Sequence, residues 1–293
     1  MTTLGVVGLG SMGSAMASRL LDQNVPIAAY NRTAARAEPL RMRGAAVLAC
    51  PADVARCASM VITCVTDEHA LGQVLLGPGG VLNGATPGSI LLETSTIGPD
   101  ASAGFAPACA EAGVAYLRAP ISGSVAHAAT GSLAFLVSGP QDALDRARPI
   151  LDLLAARVFY LGQAEEARTQ KLALLLVVGA TVAALSEALV LGEKAGLDWR
   201  SMLEVFESSA VASPLVRTKL PALLERDFAP GAETRLLAKD FDLILGAGRS
   251  TETPLPLAGL VRQLLAAAMS GGEADLDFSA LVLVLERLAG LSV

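Results

Sequence analysis

Histidine is almost missing from this chain, with two in 293 residues, and cysteine and tryptophan are sparse at four and one. His69, His127, Cys50, Cys57, Cys64 and Cys109 show no zinc-type spacing, so no metal site is expected. The cysteines at 50, 57 and 64 recur every seven residues, but Cys64 ends an apolar run that reads as a strand. They are expected to be buried free thiols, as in a reducing cytoplasm. Charge is also scarce: 17% of residues are charged, and 22 Lys+Arg against 28 Asp+Glu leave a net −6. No basic cluster offsets that balance, which argues against a nucleic-acid partner. Met1-Thr2-Thr3 leads straight into an apolar strand, without a signal peptide's charged start and long apolar stretch.

Apolar residues, by contrast, are abundant at 53%, with mean hydropathy +0.53. Leu172–Leu191 carries only Thr181, Ser186 and Glu187 as polar side chains. Its length would admit a membrane span. Gly179, Glu187 and the Glu193-Lys194 pair favour a helix buried in protein instead, with no membrane partner expected. So greasy a helix suits a homodimer interface better than a monomer's surface.

Short β-rich runs alternate with helical patterns through the first half: strands are expected at Leu4–Val7, Pro26–Tyr30, Met60–Cys64, Ser89–Leu92 and Val114–Leu117. Helices are expected at Ser14–Leu21, Ala34–Arg43 and Ala101–Ala112, and later strands at Ser132–Val137 and Arg157–Leu161. Such alternation predicts βαβ units around a parallel sheet. From about Ala164 strand signals vanish, and helical runs are broken near Gly196-Leu197-Asp198, Ser213-Pro214, Ala229-Pro230-Gly231, Thr253-Pro254 and Gly271-Gly272. The fold class expected is an α/β N-terminal domain over 1–163 and an all-α C-terminal domain over 164–293, joined by a long interdomain helix.

Gly8-Leu9-Gly10-Ser11-Met12-Gly13 follows the first strand and opens a helix. In that setting the glycines permit a tight turn, close approach of a pyrophosphate and close helix–strand packing, which is the Rossmann dinucleotide fingerprint. The helix N-terminus adds N–H groups for the phosphates. An NAD site usually places a carboxylate at the end of the second strand. Here Tyr30 is followed by Asn31, Arg32 and Thr33, three groups suited to a 2′-phosphate, so NADP(H) is the expected cofactor.

Further segments fall in order along the chain: Glu93-Thr94-Ser95-Thr96-Ile97-Gly98-Pro99, Ala119-Pro120-Ile121-Ser122-Gly123-Ser124, Lys171, and Lys239-Asp240-Phe241. With the glycine turn and Asn31–Thr33, they resemble the β-hydroxyacid dehydrogenases over residues 4 to 290. That family includes 3-hydroxyisobutyrate dehydrogenase, tartronate semialdehyde reductase and the glyoxylate/succinic semialdehyde reductases. Ser124, Ser186–Leu191 and Asp275–Ala280 resemble the last branch most. The helical half is similar to the 6-phosphogluconate dehydrogenase C-terminal type, and imine reductases share the architecture.

The resemblance implies roles. Lys171, nine residues after Gly162, is the proton donor to a carbonyl oxygen that gains hydride. At the start of an apolar helix, desolvation would pull its ammonium toward neutrality. Ser122, Gly123 and Ser124 form the substrate loop, whose backbone N–H groups hold a carboxylate. Thr96 faces the nicotinamide, Val65 and Thr66 join the cofactor site, and Lys239 is a second-domain cofactor contact.

Three departures stand out. Leu174 and Leu175 occupy positions where the family places Asn, giving the substrate site an apolar wall. Arg118 replaces an acid before Ala119-Pro120, and Glu165 and Ala167 replace glycines. The expected activity is NADPH-dependent reduction of an aldehyde- or keto-acid, or the reverse oxidation of a 3-hydroxyacid. The alternatives are reduction of a hydrophobic imine and an NADP-binding dimer without catalysis.

Overall fold

The computed structural model describes residues 3–229 and 231–291; Pro230 of the expected break, and Met1 and Thr2 ahead of the first strand, lie outside them. The chain divides into two compact units, ending and starting at Lys171 and Leu172.

The first unit opens β1 (Leu4–Val7), α1 (Ser11–Asp22), β2 (Ile27–Tyr30), α2 (Glu38–Met42), β3 (Ala46–Val47), α3 (Pro51–Cys57) and β4 (Met60–Thr63). It continues with α4 (Glu68–Leu76), α5 (Val81–Gly84), β5 (Ile90–Glu93), α6 (Pro99–Glu111) and β6 (Ala115–Arg118). β7 (Ile121–Ser122), α7 (Val125–Thr130), β8 (Leu133–Ser138), α8 (Gln141–Leu154) and β9 (Ala155–Gly162) complete its strands. The sheet runs β3-β2-β1-β4-β5-β6-β8-β7, with β9 paired to β8. Strands β3 through β6 are parallel, and β8 runs antiparallel to β6 and β7.

The central strands are apolar up to their last residues because both faces are covered. Val6, Ile62, Leu92 and Leu117 pack into one core with Met16 and Leu20 of α1. Their neighbours Val7, Val61, Leu91 and Tyr116 pack into the other with Val54 and Leu71. This two-residue alternation is the pleat of a sheet with a layer of helices on each side. Gly13, Met16, Ala17 and Leu20, at helical spacing, form the buried stripe of α1.

The second unit is helical: α9 (Glu166–Lys194), whose first turn and Lys171 belong to the first unit, then α10 (Trp199–Ser208) and α11 (Pro214–Glu225). α12 (Thr234–Ser250), α13 (Pro256–Gly271) and α14 (Leu281–Leu288) follow. Asp198 and Ser213 cap α10 and α11, accepting from Ser201 N and Val216 N, so the breaks at 196–198 and 213–214 are helix starts.

Some expectations need correction. Cys109 is buried, but Cys57 is exposed, because as the last residue of α3 it faces out. The first helix starts at Ser11, not Ser14, since Gly10 is its N-cap and the glycine turn is its first turn. The first unit extends to Lys171, since Ala167 and Arg168 are buried and their bonds reach the sheet strands.

Candidate active site

Backbone register carries the loop candidates of the first unit to one edge of its sheet. Val7 pairs with Tyr30 and Thr63, Thr63 with Glu93, and Glu93 with Arg118, so the last residues of β1, β2, β4, β5 and β6 are level. Gly8–Gly13, Asn31–Thr33, Val65–Thr66, Thr94–Thr96 and Ala119–Ser124 therefore all leave the carboxyl edge of the sheet. The strand order reverses there between β1 and β4, the position where open α/β sheets bind ligands.

The glycine turn fits a dinucleotide. Gly8 has φ +97°, and a Cβ on it would stand 2.2 Å from the Cys64 carbonyl oxygen. One on Gly13 would stand 2.0 Å from the Gly8 oxygen, whereas one on Gly10 would meet nothing within 4 Å. The first and third glycines are thus used by the protein's own packing, and the second opens onto free space. α1 has no side-chain cap and no acid in its first turn, so its N-terminal N–H groups and dipole are left to an anion.

Asn31 joins two segments of the chain. Its side-chain oxygen accepts from Leu9 N at 2.8 Å, and its amide donates to the Thr33 oxygen at 2.9 Å. It ties the glycine turn to the end of β2, and Arg32 and Thr33 beside it are both exposed. Ser11 and Met12 lie in the first turn of α1.

Between β4 and β5 the loops are stitched together. Ser95 Oγ accepts from Val65 N at 2.9 Å, and the Thr94 hydroxyl donates to the Thr63 oxygen at 2.7 Å. Thr66 follows Val65 in the same loop. Thr96 is half-buried and does not cap α6, whose N-cap is Gly98.

In the β7–α7 loop, Ser124 heads α7 with His127 in a reciprocal cap. Ser124 Oγ lies 2.8 Å from His127 Nδ1, which also accepts from Ser124 N at 3.2 Å. The Ser124 N–H expected to meet substrate is therefore occupied, while Ser122 is half-buried and Gly123, at φ +138°, shapes the turn. Lys171 comes to this loop: its ammonium donates to the Ile121 carbonyl oxygen at 2.8 Å.

Leu174 and Leu175 are half-buried, and Leu175 packs against the helical unit's core around Leu172, Leu237 and Phe241. Lys239 lies on α12, 3.1 Å from the Asp240 carboxylate.

The arginines were not legible as site residues. Arg118 and Glu165, two separate departures in the sequence, are partners: Arg118 Nε donates to Glu165 Oε1 at 2.8 Å. The same guanidinium stacks 4.2 Å from the centre of the Tyr116 ring. Arg168, wholly buried, pairs with the equally buried Glu93 and also bonds Ser95, Ser102 and Tyr116. Burial opposes the Arg168 charge, yet Glu93 and Tyr116 hold its guanidinium above the ordinary range. Burial pushes the Tyr116 phenol up, so it stays neutral, and its oxygen accepts from Arg168 Nη2. The one signal available in the sequence was a charged residue closing the apolar strand Ile90–Glu93.

Residues 3–162 match the NAD binding domain of 6-phosphogluconate dehydrogenase. Residues 166–285 match the NAD-binding domain of NADP-dependent 3-hydroxyisobutyrate dehydrogenase. The chain is 31% identical to glyoxylate/succinic semialdehyde reductase 1 of Arabidopsis thaliana, over 95% of this chain and 96% of that one. It is similar to the solved Mycobacterium tuberculosis 3-hydroxyisobutyrate dehydrogenase with L-serine, at 30% identity and TM-score 0.87, covering 97% of this chain and 99% of that one. Psf3 in complex with NADP+ and 2-OPP is similar at 28% identity and TM-score 0.88, covering 96% and 99%. Solved imine reductases at 18–22% identity share the fold.

Proposed function

Because the chain belongs to the β-hydroxyacid dehydrogenases, a family of NAD(P)-dependent oxidoreductases, we propose that it uses NADP(H) to interconvert an aldehyde- or keto-acid and its hydroxyacid, with Lys171 as general acid and base. The observation that carries this reading is the Lys171 ammonium, fixed 2.8 Å from the Ile121 carbonyl oxygen at the head of the Ser122–Ser124 loop.

The bound nicotinamide supplies or accepts the hydride. The chain's own residues do the rest. Gly10 and the first turn of α1 seat the pyrophosphate, and Arg32 and Thr33 hold the 2′-phosphate where no carboxylate follows Tyr30. Thr96 orients the reacting end beside Val65 and Thr66. Ser122 and Gly123 hold the substrate carboxylate. Lys171 gives its proton to the substrate oxygen as negative charge develops there, and takes it back in the oxidative direction. A homodimer completes the proposal, with a second copy covering the apolar residues that α9 exposes.

Titration with NADPH and NADH, followed by NADPH consumption with glyoxylate, succinic semialdehyde and a cyclic imine, tests the reading. NADPH binds tighter, the acids are reduced, and Lys171→Ala loses about 10²–10⁴-fold in kcat with NADPH affinity unchanged. Full turnover by Lys171→Ala overturns the acid role. Leu174 and Leu175 in place of polar side chains favour one second reading, reduction of an apolar imine, which turnover of the cyclic imine alone would establish.

A further inference from the structure

Burying a guanidinium with a carboxylate is a poor way to gain stability, since desolvation opposes it and an apolar pair of similar volume often does as well. Arg168 and Glu93 are nonetheless 1% and 0% exposed and bonded to each other. Their remaining bonds reach four segments. Arg168 Nη1 donates to the Ser95 oxygen, Nε to Ser102 Oγ at 3.3 Å, and Nη2 to the Tyr116 hydroxyl at 3.4 Å. Glu93 Oε1 accepts from Ser95 N at 2.8 Å and from the Thr63 hydroxyl at 3.5 Å. Ser95 Oγ in turn accepts from Val65 N. The loops after β4 and β5 and the first turn of α9 are one hydrogen-bonded body.

Next to that body in the chain lie the two groups a reduction must hold apart by a fixed distance. Thr96 is the residue after Ser95, and Lys171 is three residues after Arg168, about 4.5 Å along the helix axis. A helix transmits displacement of its first turn directly to the next. We infer that Arg168 and Glu93 are a positioning pair, which sets the register of α9 against the β5 loop so that Lys171 and Thr96 face the reacting atoms together. The inference rests on Lys171 being the proton donor. Arg118, bonded to Glu165 and stacked on Tyr116, braces the same turn from β6.

The test is the double variant Glu93→Leu/Arg168→Met in the NADPH-bound protein, which removes both charges at similar volume. The expected unfolding midpoint lies near that of the unsubstituted protein. kcat with glyoxylate or succinic semialdehyde falls about 10–100-fold, as an ångström of misplacement does elsewhere, while KM for NADPH changes less than about threefold. Acetylation of Lys171, followed by mass spectrometry, becomes at least about threefold faster as its carbonyl anchor loosens. Unchanged kcat and unchanged Lys171 labelling in a stable double variant overturn the inference. Should that variant not fold, Arg168→Lys retains a charge for Glu93 while losing the fork to Ser95 and Ser102, and the same split is expected. Full turnover by Lys171→Ala would defeat the donor assignment instead, and labelling of Lys171 would still decide whether the pair holds it.

Discussion

Alanine substitution separates the duties of the three glycines between β1 and α1. At Gly8 and Gly13 the added methyl meets backbone carbonyl oxygens at 2.2 and 2.0 Å, which cannot swing aside as a side chain can. Each change should destabilise the protein by on the order of 2–4 kcal/mol, with the positive φ adding to the cost at Gly8. At Gly10 the methyl enters open space. Gly10→Ala should cost at most about 1 kcal/mol, because glycine outranks alanine as an N-cap. Its effect should fall on the cofactor, with Kd for NADPH rising roughly tenfold or more. Urea unfolding and NADPH titration of the three variants check this; equal loss of stability at all three would contradict it. The glycines were legible because their duties are local to one turn. The bond from Leu9 N to Asn31 was not legible, because it spans two strands, and only the parallel register of β1 with β2 brings those residues together.

At the scale of the element, most strands were visible because apolar runs with helices on both sides leave no room for polar residues. β3 and β7 were not, at two residues each, since a two-residue strand has no periodicity to read. The bond between Lys219 on α11 and Asp277 ahead of α14 was equally hidden, its partners lying 58 residues apart. Lys219 Nζ reaches both carboxylate oxygens at 2.9 and 2.8 Å and sits 4.0 Å from the Phe278 ring centre. The carboxylate also accepts from Ala232 N and Ser279 N, pinning the chain ahead of α12 to the chain ahead of α14. Lys219→Met should therefore cost about 3–5 kcal/mol by leaving a buried charge unpaired. Burial pushes the Asp277 carboxyl up, but the bonds from Lys219 and Ser279 outweigh it and hold it below its ordinary value of 3.8. A depressed carboxylate stabilises the fold above its unfolded pKa and loses that contribution as pH falls through the folded one. The stability gap between the unsubstituted protein and Asp277→Asn should stay constant above about pH 4.5 and close as pH drops below about 3.5. Denaturant midpoints from pH 6 down to pH 2.5 measure it, and a gap independent of pH would refute the assignment.

For the whole molecule, the division into a sheet unit and a helical unit was written in the change from alternating runs to helical runs near residue 164. The remaining question at this scale is what the apolar surface of α9 meets. The helix is long and apolar enough to cross a membrane, and only 39% of its most apolar stretch is buried within the chain. Val177 and Leu191, 58% and 73% exposed, lie on it with exposed Ala173, Ala184 and Glu187. A carboxylate amid these residues is costly in lipid but tolerable at a protein interface, where its charge can find a donor. A second copy of the same chain meets this requirement by symmetry, since a two-fold interface brings each face against its equivalent. Val177→Glu/Leu191→Glu adds two charges per copy to that face without touching the core of either unit, and like charges brought together oppose association. Sedimentation should show a dimer for the unsubstituted protein and a monomer of about 30 kDa for the variant, each soluble without detergent. A monomeric unsubstituted protein, or one recovered only with lipid or detergent, would remove the case for a self-paired α9.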